Sequence, residues 1–165
     1  MATEPPVPQM ADPQAALVEA RMRLEHQFRG GANWFYWIAG LSLINSIAQL
    51  SGSGWRFIVG LGITQIVDYI AHQAGTIGTV AALVIDVFAA SVFVLFGLFA
   101  RKGQRWAFLV GMVLYGLDGL LLLVGPDFLG LAFHAFALYQ IFRGLSALKL
   151  LQQLSQPRAA MPQGA

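Results

Sequence analysis

The chain has 165 residues, enough for one domain of ordinary size, of which 57% are hydrophobic and only 11% charged. A soluble globular domain carries about 25% charged residues, so the excess apolar surface must face lipid or a partner, and we interpret the chain as an integral membrane protein. The absence of cysteine excludes disulfide frameworks, thiolate metal sites and cysteine nucleophiles. The net charge of +2 comes from scattered residues, which offer no basic stripe for nucleic acid.

The first thirty residues predict a tail followed by an amphipathic helix. Residues 1–12 are rich in proline and bury little apolar area, so we expect a disordered tail. Asp12-Pro13 is typical of an N-cap followed by proline at the first helical position. Residues 13–30 then show apolar side chains at helical spacing, which predicts an interfacial helix on the membrane surface or a solvated juxtamembrane helix. Gly30-Gly31 is expected to end it.

Residues 31–150 predict a transmembrane helical domain. Spanning a bilayer takes about 20 apolar residues, with a range of roughly 17–25. The sequence therefore predicts an all-α polytopic transmembrane helix bundle of about five spans, followed by a disordered C-terminal tail over 151–165. Because the first two segments are short, three full spans plus a re-entrant or tilted first hairpin remain the alternative. The five apolar segments are 33–50, 55–73, 79–100, 106–124 and 128–149.

Basic residues near the segment ends predict the orientation. Lys and Arg near span ends prefer the cytoplasmic side. With five spans, the turns at 51–56 and 101–105 share one side with the C-terminus, and that side holds most of the Lys and Arg residues. We therefore expect a cytoplasmic C-terminus and an N-terminus on the outer side.

The candidate site is a layer of ionisable side chains inside the predicted spans. A carboxylate at mid-membrane costs roughly 2.5–3.5 kcal/mol on insertion scales and normally faces the bundle interior. A rise of about 1.5 Å per helical residue puts four of these side chains, Asp68, Asp86, Asp118 and His134, at one level in the outer half of the membrane, and His72 one turn further out. Ser42, Asn45 and Gln49 lie in the inner half of the first span, where we expect them to bond to a neighbouring helix. The predicted buried polar cluster is Asp68, His72, Asp86, Asp118 and His134, with Gln65, Tyr69, Tyr115 and Gln140 close enough to supply hydrogen bonds.

Three functions fit such a layer. The preferred hypothesis is a structural or interaction role without enzymatic activity, in which Asp and His side chains hydrogen-bond across helices. The first alternative is proton or cation permeation through a homo-oligomer. The second is a membrane-embedded enzyme that uses a divalent transition metal, because carboxylate and imidazole are ordinary ligands for zinc, iron and manganese. The five cluster residues are then the candidate metal ligands. The expected partners are the lipid bilayer and a second copy or another membrane protein.

The last third of the chain contains four short stretches of a common pattern, Arg105-Trp106-Ala107-Phe108, Tyr115-Gly116-Leu117-Asp118, Phe133-His134 and Arg143-Gly144-Leu145. They resemble a pattern in small uncharacterised bacterial multi-pass membrane proteins. That resemblance implies a location in the bacterial inner membrane and implies no particular activity.

Overall fold

The described part of the chain is entirely helical in its regular structure. The structure is a computed structural model that describes residues 12–51, 61–64, 67, 75–124 and 128–156, and these residues include no β-strand. The prediction of an all-α fold is therefore confirmed. The long helices are α1 (Pro13–Leu50), α2 (Gly75–Arg101), α3 (Arg105–Leu121) and α4 (Phe128–Ser155), and a 3-10 turn over Leu122–Val124 extends α3.

Helices α1 and α2 pack against each other in opposite directions. Near one end of the pair, the ring of Tyr36 lies against Gly97. Ten residues further along α1, Ser46 contacts Asp86, which lies eleven residues earlier in α2. Because the numbers rise along α1 while they fall along α2, the two helices are antiparallel.

The other neighbouring helices are antiparallel as well. Gly31 of α1 lies against Gly144 of α4, and Trp34 packs edge-on to Phe136, so α1 and α4 are also antiparallel. The described helices therefore form an up-down-up-down bundle in which α1 and α3 run one way and α2 and α4 the other. Further antiparallel pairs are Phe96–Trp106 and Phe93–Tyr115 between α2 and α3, and Arg105–Gln152 and Asp118–His134 between α3 and α4.

An aromatic cluster around Phe35 fills the centre of this bundle. Phe35 is fully buried and meets Phe93, Phe96 and Phe108 with ring centroids 6.0–6.4 Å apart. Gly111 makes room for it, since a Cβ atom there would collide with the Phe35 ring. One side chain of α1 thus contacts both α2 and α3, which makes α1 the helix that ties the bundle together.

The prediction that Gly30-Gly31 end the first helix was wrong, because α1 continues without a break to Leu50. A Cβ atom on Gly31 would lie 2.5 Å from the Cα atom of Gly144, so glycine here permits close helix packing. Glycine in a helix costs about 1 kcal/mol relative to alanine, and the packing of α1 against α4 offsets that cost. A glycine pair alone does not distinguish a helix end from a close helix contact.

The last helix also extends further than expected. A tail was predicted from residue 151, but α4 continues through Ser155. Its last turns contact the α2–α3 turn: Gln152 Nε2 donates to the carbonyl of Gly103, and Arg105 Nε donates to Gln152 Oε1. These tertiary bonds stabilise a helix end that composition alone did not indicate. The predictions for 1–11 and 157–165 lie outside the described residues.

Two of the described helices, α2 and α4, are long and apolar enough to cross a membrane. Helix α3 has only 17 residues, and polar residues such as Ser42 and Ser46 lower the hydropathy of α1. The five-span bundle is not confirmed. A single full crossing by 55–73 would have made α1 and α2 parallel, and they are antiparallel. Most of that segment lies outside the described residues.

The start of α1 and the end of α4 lie at the same end of the bundle. Gln27 Nε2 donates to the carbonyl of Arg143, 116 residues later. The expectation that the two ends of the chain lie on opposite sides was therefore wrong for these helices, because it assumed an odd number of crossings. We call this the basic end, since every Lys and Arg in the described residues lies in this half of the bundle. They are Arg21, Arg23, Arg29, Arg101, Lys102, Arg105, Arg143 and Lys149.

The outer surface of the bundle is strongly apolar. Large hydrophobic side chains are exposed along α2, α3 and α4 instead of being confined to the core. Contiguous apolar surface of this kind marks contact with lipid or with another protein. Examples are Val84, Phe88 and Leu95 on α2, Val113 and Leu117 on α3, and Phe136 and Phe142 on α4.

The close contact of α1 with α4 makes Gly31 intolerant of even one methyl group. We expect Gly31→Ala to lower the free energy of unfolding by about 1–3 kcal/mol, because its Cβ would meet backbone atoms. The matched control is Gly30→Ala in the same helix, where a Cβ meets nothing within 4 Å, and stability should hold or rise. Thermal unfolding of the two variants in detergent measures the difference. Equal stabilities would contradict the close α1–α4 contact.

Candidate functional site

Three of the predicted cluster residues can be located. Asp86, Asp118 and His134 are all buried, and each comes from a different helix. Asp68 and His72 lie outside the described residues, as do the predicted neighbours Gln65 and Tyr69.

Asp118 and His134 are in direct contact across the α3–α4 hairpin. His134 Nε2 lies 2.9 Å from Asp118 Oδ2, and His134 Nδ1 lies 2.9 Å from the carbonyl oxygen of Gly130, one turn earlier in α4. The ring of Tyr115 stacks on the imidazole, with centroids 4.2 Å apart and planes 13° apart. Gly119 leaves space for the ring, since a Cβ there would lie 3.1 Å from His134 Cδ2.

The sequence spacing explains why these groups share one face. Tyr115, Asp118 and Gly119 are three and four residues apart, and such positions are neighbours on a helix surface. His134 then approaches the small residue Gly119 and lies between the tyrosine ring and the carboxylate. The result is a buried imidazole whose two nitrogens and one ring face are all occupied.

Both carboxylate oxygens of Asp118 also accept hydrogen bonds from a second chain segment. Residues 62–64 are helical, and the backbone N–H groups of Gly62 and Ile63 donate to Asp118 Oδ2 and Oδ1 at 2.7 and 2.8 Å. The first N–H groups of a helix have no partner within that helix and carry partial positive charge. Asp118 supplies acceptors to a helical turn 55 residues earlier in the chain.

Two serines of α1 extend this network to Asp86. The backbone N–H of Leu61 donates to Ser42 Oγ at 2.9 Å, next to the residue that donates to Asp118. One helical turn along α1, Ser46 Oγ donates to Asp86 Oδ2 at 2.5 Å and lies 3.1 Å from the Ser42 carbonyl. Polar groups from α1, residues 61–63, α2, α3 and α4 are therefore connected inside the bundle.

The hydrogen bonds also determine how many protons the His134–Asp118 pair carries. A carbonyl oxygen can only accept, so the contact with Gly130 assigns a hydrogen to His134 Nδ1. The Nε2–Oδ2 contact then needs one further hydrogen, carried by either atom. The pair is a carboxylate with an imidazolium or a carboxylic acid with a neutral imidazole, and both forms avoid an uncompensated buried charge.

The remaining predicted residues that the structure describes do not contact the Asp118–His134 pair directly. Gln140 is half-buried on α4, six residues after His134. Asp86 reaches the network through Ser46. Within residues 12–51, 61–64, 67, 75–124 and 128–156, no three His, Cys, Asp or Glu side chains come together in a way that could hold a metal ion.

Sequence reasoning misplaced one group and missed two. Ser42 was expected in the inner half of the membrane, away from the Asp/His layer. The structure places it beside Leu61, adjacent to the Asp118 contact, because α1 runs antiparallel to α2, whereas five spans would have made the two helices parallel. The hydroxyl of Ser46 was missed, although its i+4 spacing from Ser42 was a usable signal. The backbone donors of residues 62 and 63 had no signal in side-chain chemistry.

Comparisons with known proteins give no match. No protein-family model, no curated protein and no solved structure matches the chain.

The contacts of Asp118 make its carboxylate essential for stability. In Asp118→Asn the amide NH2 replaces an oxygen that accepts from the backbone N–H of Gly62 or Ile63, so two donors face each other, and we expect a loss of about 3–5 kcal/mol in the free energy of unfolding. The matched control is Asp12→Asn. Asp12 caps the exposed start of α1 through Gln14 N at 2.9 Å, and asparagine caps helices equally well. Thermal unfolding should separate the two variants, and equal melting temperatures would contradict this role.

Tyr115 provides a second test of the site. Its ring is fully buried, and among the described residues its hydroxyl has no hydrogen-bond partner. Tyr115→Phe should leave the free energy of unfolding unchanged or raise it by up to about 1 kcal/mol, because it removes an unpaired buried group. Tyr115→Ala, which also removes the stacked ring, should cost about 3–5 kcal/mol. A clear loss of stability in Tyr115→Phe would show that the hydroxyl has a partner beyond the described residues.

Proposed function

We propose that this chain is a multi-pass integral membrane protein whose buried Asp/His cluster has a structural role: it anchors the connection between α1 and α2 inside the bundle. The observation that carries the proposal is the environment of Asp118. Its two carboxylate oxygens take the backbone N–H groups of Gly62 and Ile63 as well as the contact with His134.

The outer surface supports the membrane location. A bundle that exposes large apolar side chains along three helices is unsuited to water. Helices α2 and α4 are long enough to span the hydrocarbon layer. The 17 residues of α3 with its 3-10 turn reach roughly 30 Å at the usual helical rises. The lipid bilayer is then the first partner of the chain.

The antiparallel pair α1–α2 supports four crossings instead of five. Residues 51–74 connect two helices that run in opposite directions, so the connection leaves and returns at the same end of the bundle. Between those points Leu61, Gly62 and Thr64 are buried, and the backbone N–H groups of Leu61 and Gly62 bond to Ser42 of α1 and Asp118 of α3. These contacts of residues 61–64 favour a segment that enters the bundle and returns over one that crosses it fully.

A re-entrant segment needs acceptors for its backbone. Inside a membrane, the N–H groups before and in the first turn of a helix have neither a partner within that helix nor water to bond, and each unpaired group costs several kcal/mol. Ser42 and Asp118 supply those acceptors for three consecutive residues, 61–63. This requirement gives the buried carboxylate a structural purpose.

The distribution of charge supports the orientation. Every Lys and Arg in the described residues lies at the basic end, and basic residues favour the cytoplasmic side. The C-terminus is therefore cytoplasmic, as the sequence suggested, and with four crossings the N-terminus joins it. The resemblance of the last third of the chain supports a bacterial inner membrane.

Cysteine labelling in intact cells tests the four crossings, since the chain has no cysteine of its own. Ser51→Cys, Thr76→Cys and Gln104→Cys each place a thiol at an exposed position. We expect a membrane-impermeant maleimide to label residues 51 and 76 from outside and residue 104 only after permeabilisation. In a five-span bundle, residue 51 would instead share the protected side with residue 104, which would overturn the proposal.

Maleimide labelling also tests whether Asp118 anchors the segment that contains Leu61. Leu61 is only 1% exposed, so Leu61→Cys should react slowly with maleimide in detergent-purified protein. The thiol at position 61 should react faster when Asp118→Asn is added, because the neighbouring N–H groups of Gly62 and Ile63 lose the carboxylate that accepts their hydrogen bonds. The matched background is Asp12→Asn, which should leave the rate unchanged. An equal rate in both backgrounds would contradict the anchoring role.

A further inference from the structure

We propose that the turn between α2 and α3, together with Lys149 of α4, binds the headgroup of an anionic phospholipid. This inference rests on the proposed membrane location and adds a specific ligand class to it. The site consists of Arg101, Lys102, Arg105 and Lys149, and we call it the turn site.

Backbone hydrogen bonds give the turn a defined shape. Gly103 adopts φ +79°, a left-handed conformation that other residues rarely take. The N–H of Gly103 donates to the carbonyl of Ala100 at 2.9 Å, and that of Gln104 donates to Phe99 at 3.1 Å. These bonds close the end of α2 tightly and fix the direction in which its last basic side chains leave the backbone.

Helix α4 holds the turn in place. Gln152 Nε2 donates to the Gly103 carbonyl at 3.2 Å, and Gln152 Oε1 accepts from Arg105. Lys149 is exposed one turn earlier on α4, next to Leu148, which lies beside Gly103. The basic groups of two chain segments are therefore gathered at one rigid place.

The turn site lacks acidic partners. Among the described residues, the ion pairs at the basic end are Arg23 with Glu19 and Arg29 with Glu25, both within α1. Those pairs leave the cations of the turn site without a carboxylate in the described residues. A concentration of unpaired positive charge at the cytoplasmic surface attracts anionic lipid headgroups.

The surface beside these cations is apolar, which favours a lipid over a soluble anion. Lys102 Nζ lies 5.6 Å from the centre of the Phe99 ring, and Phe99 packs against Trp106 with centroids 5.3 Å apart. Trp106 and Leu109 are both exposed. Positive groups directly next to exposed aromatic and aliphatic side chains match a molecule with an anionic headgroup and acyl chains.

Lipid binding to the purified full-length protein in nanodiscs tests the site. The probes are phosphatidylglycerol as the anionic lipid, phosphatidylcholine as the neutral lipid, and glycerol phosphate as the soluble headgroup. We expect bound phosphatidylglycerol to exceed bound phosphatidylcholine in native mass spectrometry. Glycerol phosphate should not displace it, because the apolar surface contributes to binding. Full displacement by glycerol phosphate would overturn the assignment to lipid.

Charge-neutral variants locate the site. Arg101→Gln/Lys102→Gln/Lys149→Gln should weaken binding of phosphatidylglycerol by about tenfold or more, since each basic group near the surface adds to the attraction. The matched control, Arg21→Gln/Arg23→Gln/Arg29→Gln on α1, changes the net charge equally and should leave binding unchanged. An equal loss in both variants would overturn a specific turn site. Both variants should keep the parent's melting temperature in phosphatidylcholine.

Different experimental outcomes would contradict the four-crossing topology and the turn site. If the cysteine-labelling pattern shows four crossings but the protein does not discriminate phosphatidylglycerol from phosphatidylcholine, only the turn site is wrong. If the labelling pattern contradicts the membrane topology, the lipid site loses its basis regardless of the binding data.

Discussion

The fold depends on one carboxylate that three separate chain segments share. Asp118 on α3 contacts His134 on α4 and accepts two backbone hydrogen bonds from residues 62 and 63. A buried carboxylate is costly unless its oxygens are fully used, and here both are. The same bonds satisfy N–H groups that the start of a helical turn would otherwise leave without acceptors. One interaction therefore closes the α3–α4 hairpin and fixes the segment that follows α1.

Around that interaction, the bundle is held together by close approach and by aromatic packing. Gly31 and Gly144 bring α1 and α4 nearly into backbone contact, while Phe35 fills the space between α1, α2 and α3. In lipid there is no hydrophobic force between helices, so tight packing and buried polar bonds must supply the association. In the proposed membrane setting, the buried polar bonds and the packing around them thus both hold the helices together.

The two halves of the bundle differ in chemistry. The half that contains Asp86, Asp118 and His134 has its polar groups inside, bonded to one another. The basic half has its polar groups outside, exposed beside aromatic side chains such as Phe99 and Trp106. The Lys and Arg residues that the structure describes are scattered along the sequence, yet they lie at one end because the antiparallel topology brings the start of α1, the α2–α3 turn and the end of α4 together. This asymmetry is what suggests both an orientation and a lipid partner.

Composition and 3.6-residue spacing are local properties, and they were enough to predict the helical class, the apolar outer surface and buried positions for Asp118, His134 and Tyr115. The direction of each helix, the continuation of α1 through Gly31 and the contribution of Ser46 were decided only by the tertiary structure. The hydropathy of a segment is the same whichever way the chain runs. It therefore could not distinguish a segment that crosses the membrane from one that enters it and returns to the same side. A glycine can end a helix or admit a neighbouring one, and the backbone donors that bind Asp118 have no side-chain signature. Those choices depend on which segments meet in space, and spatial contact is not a local property of the chain.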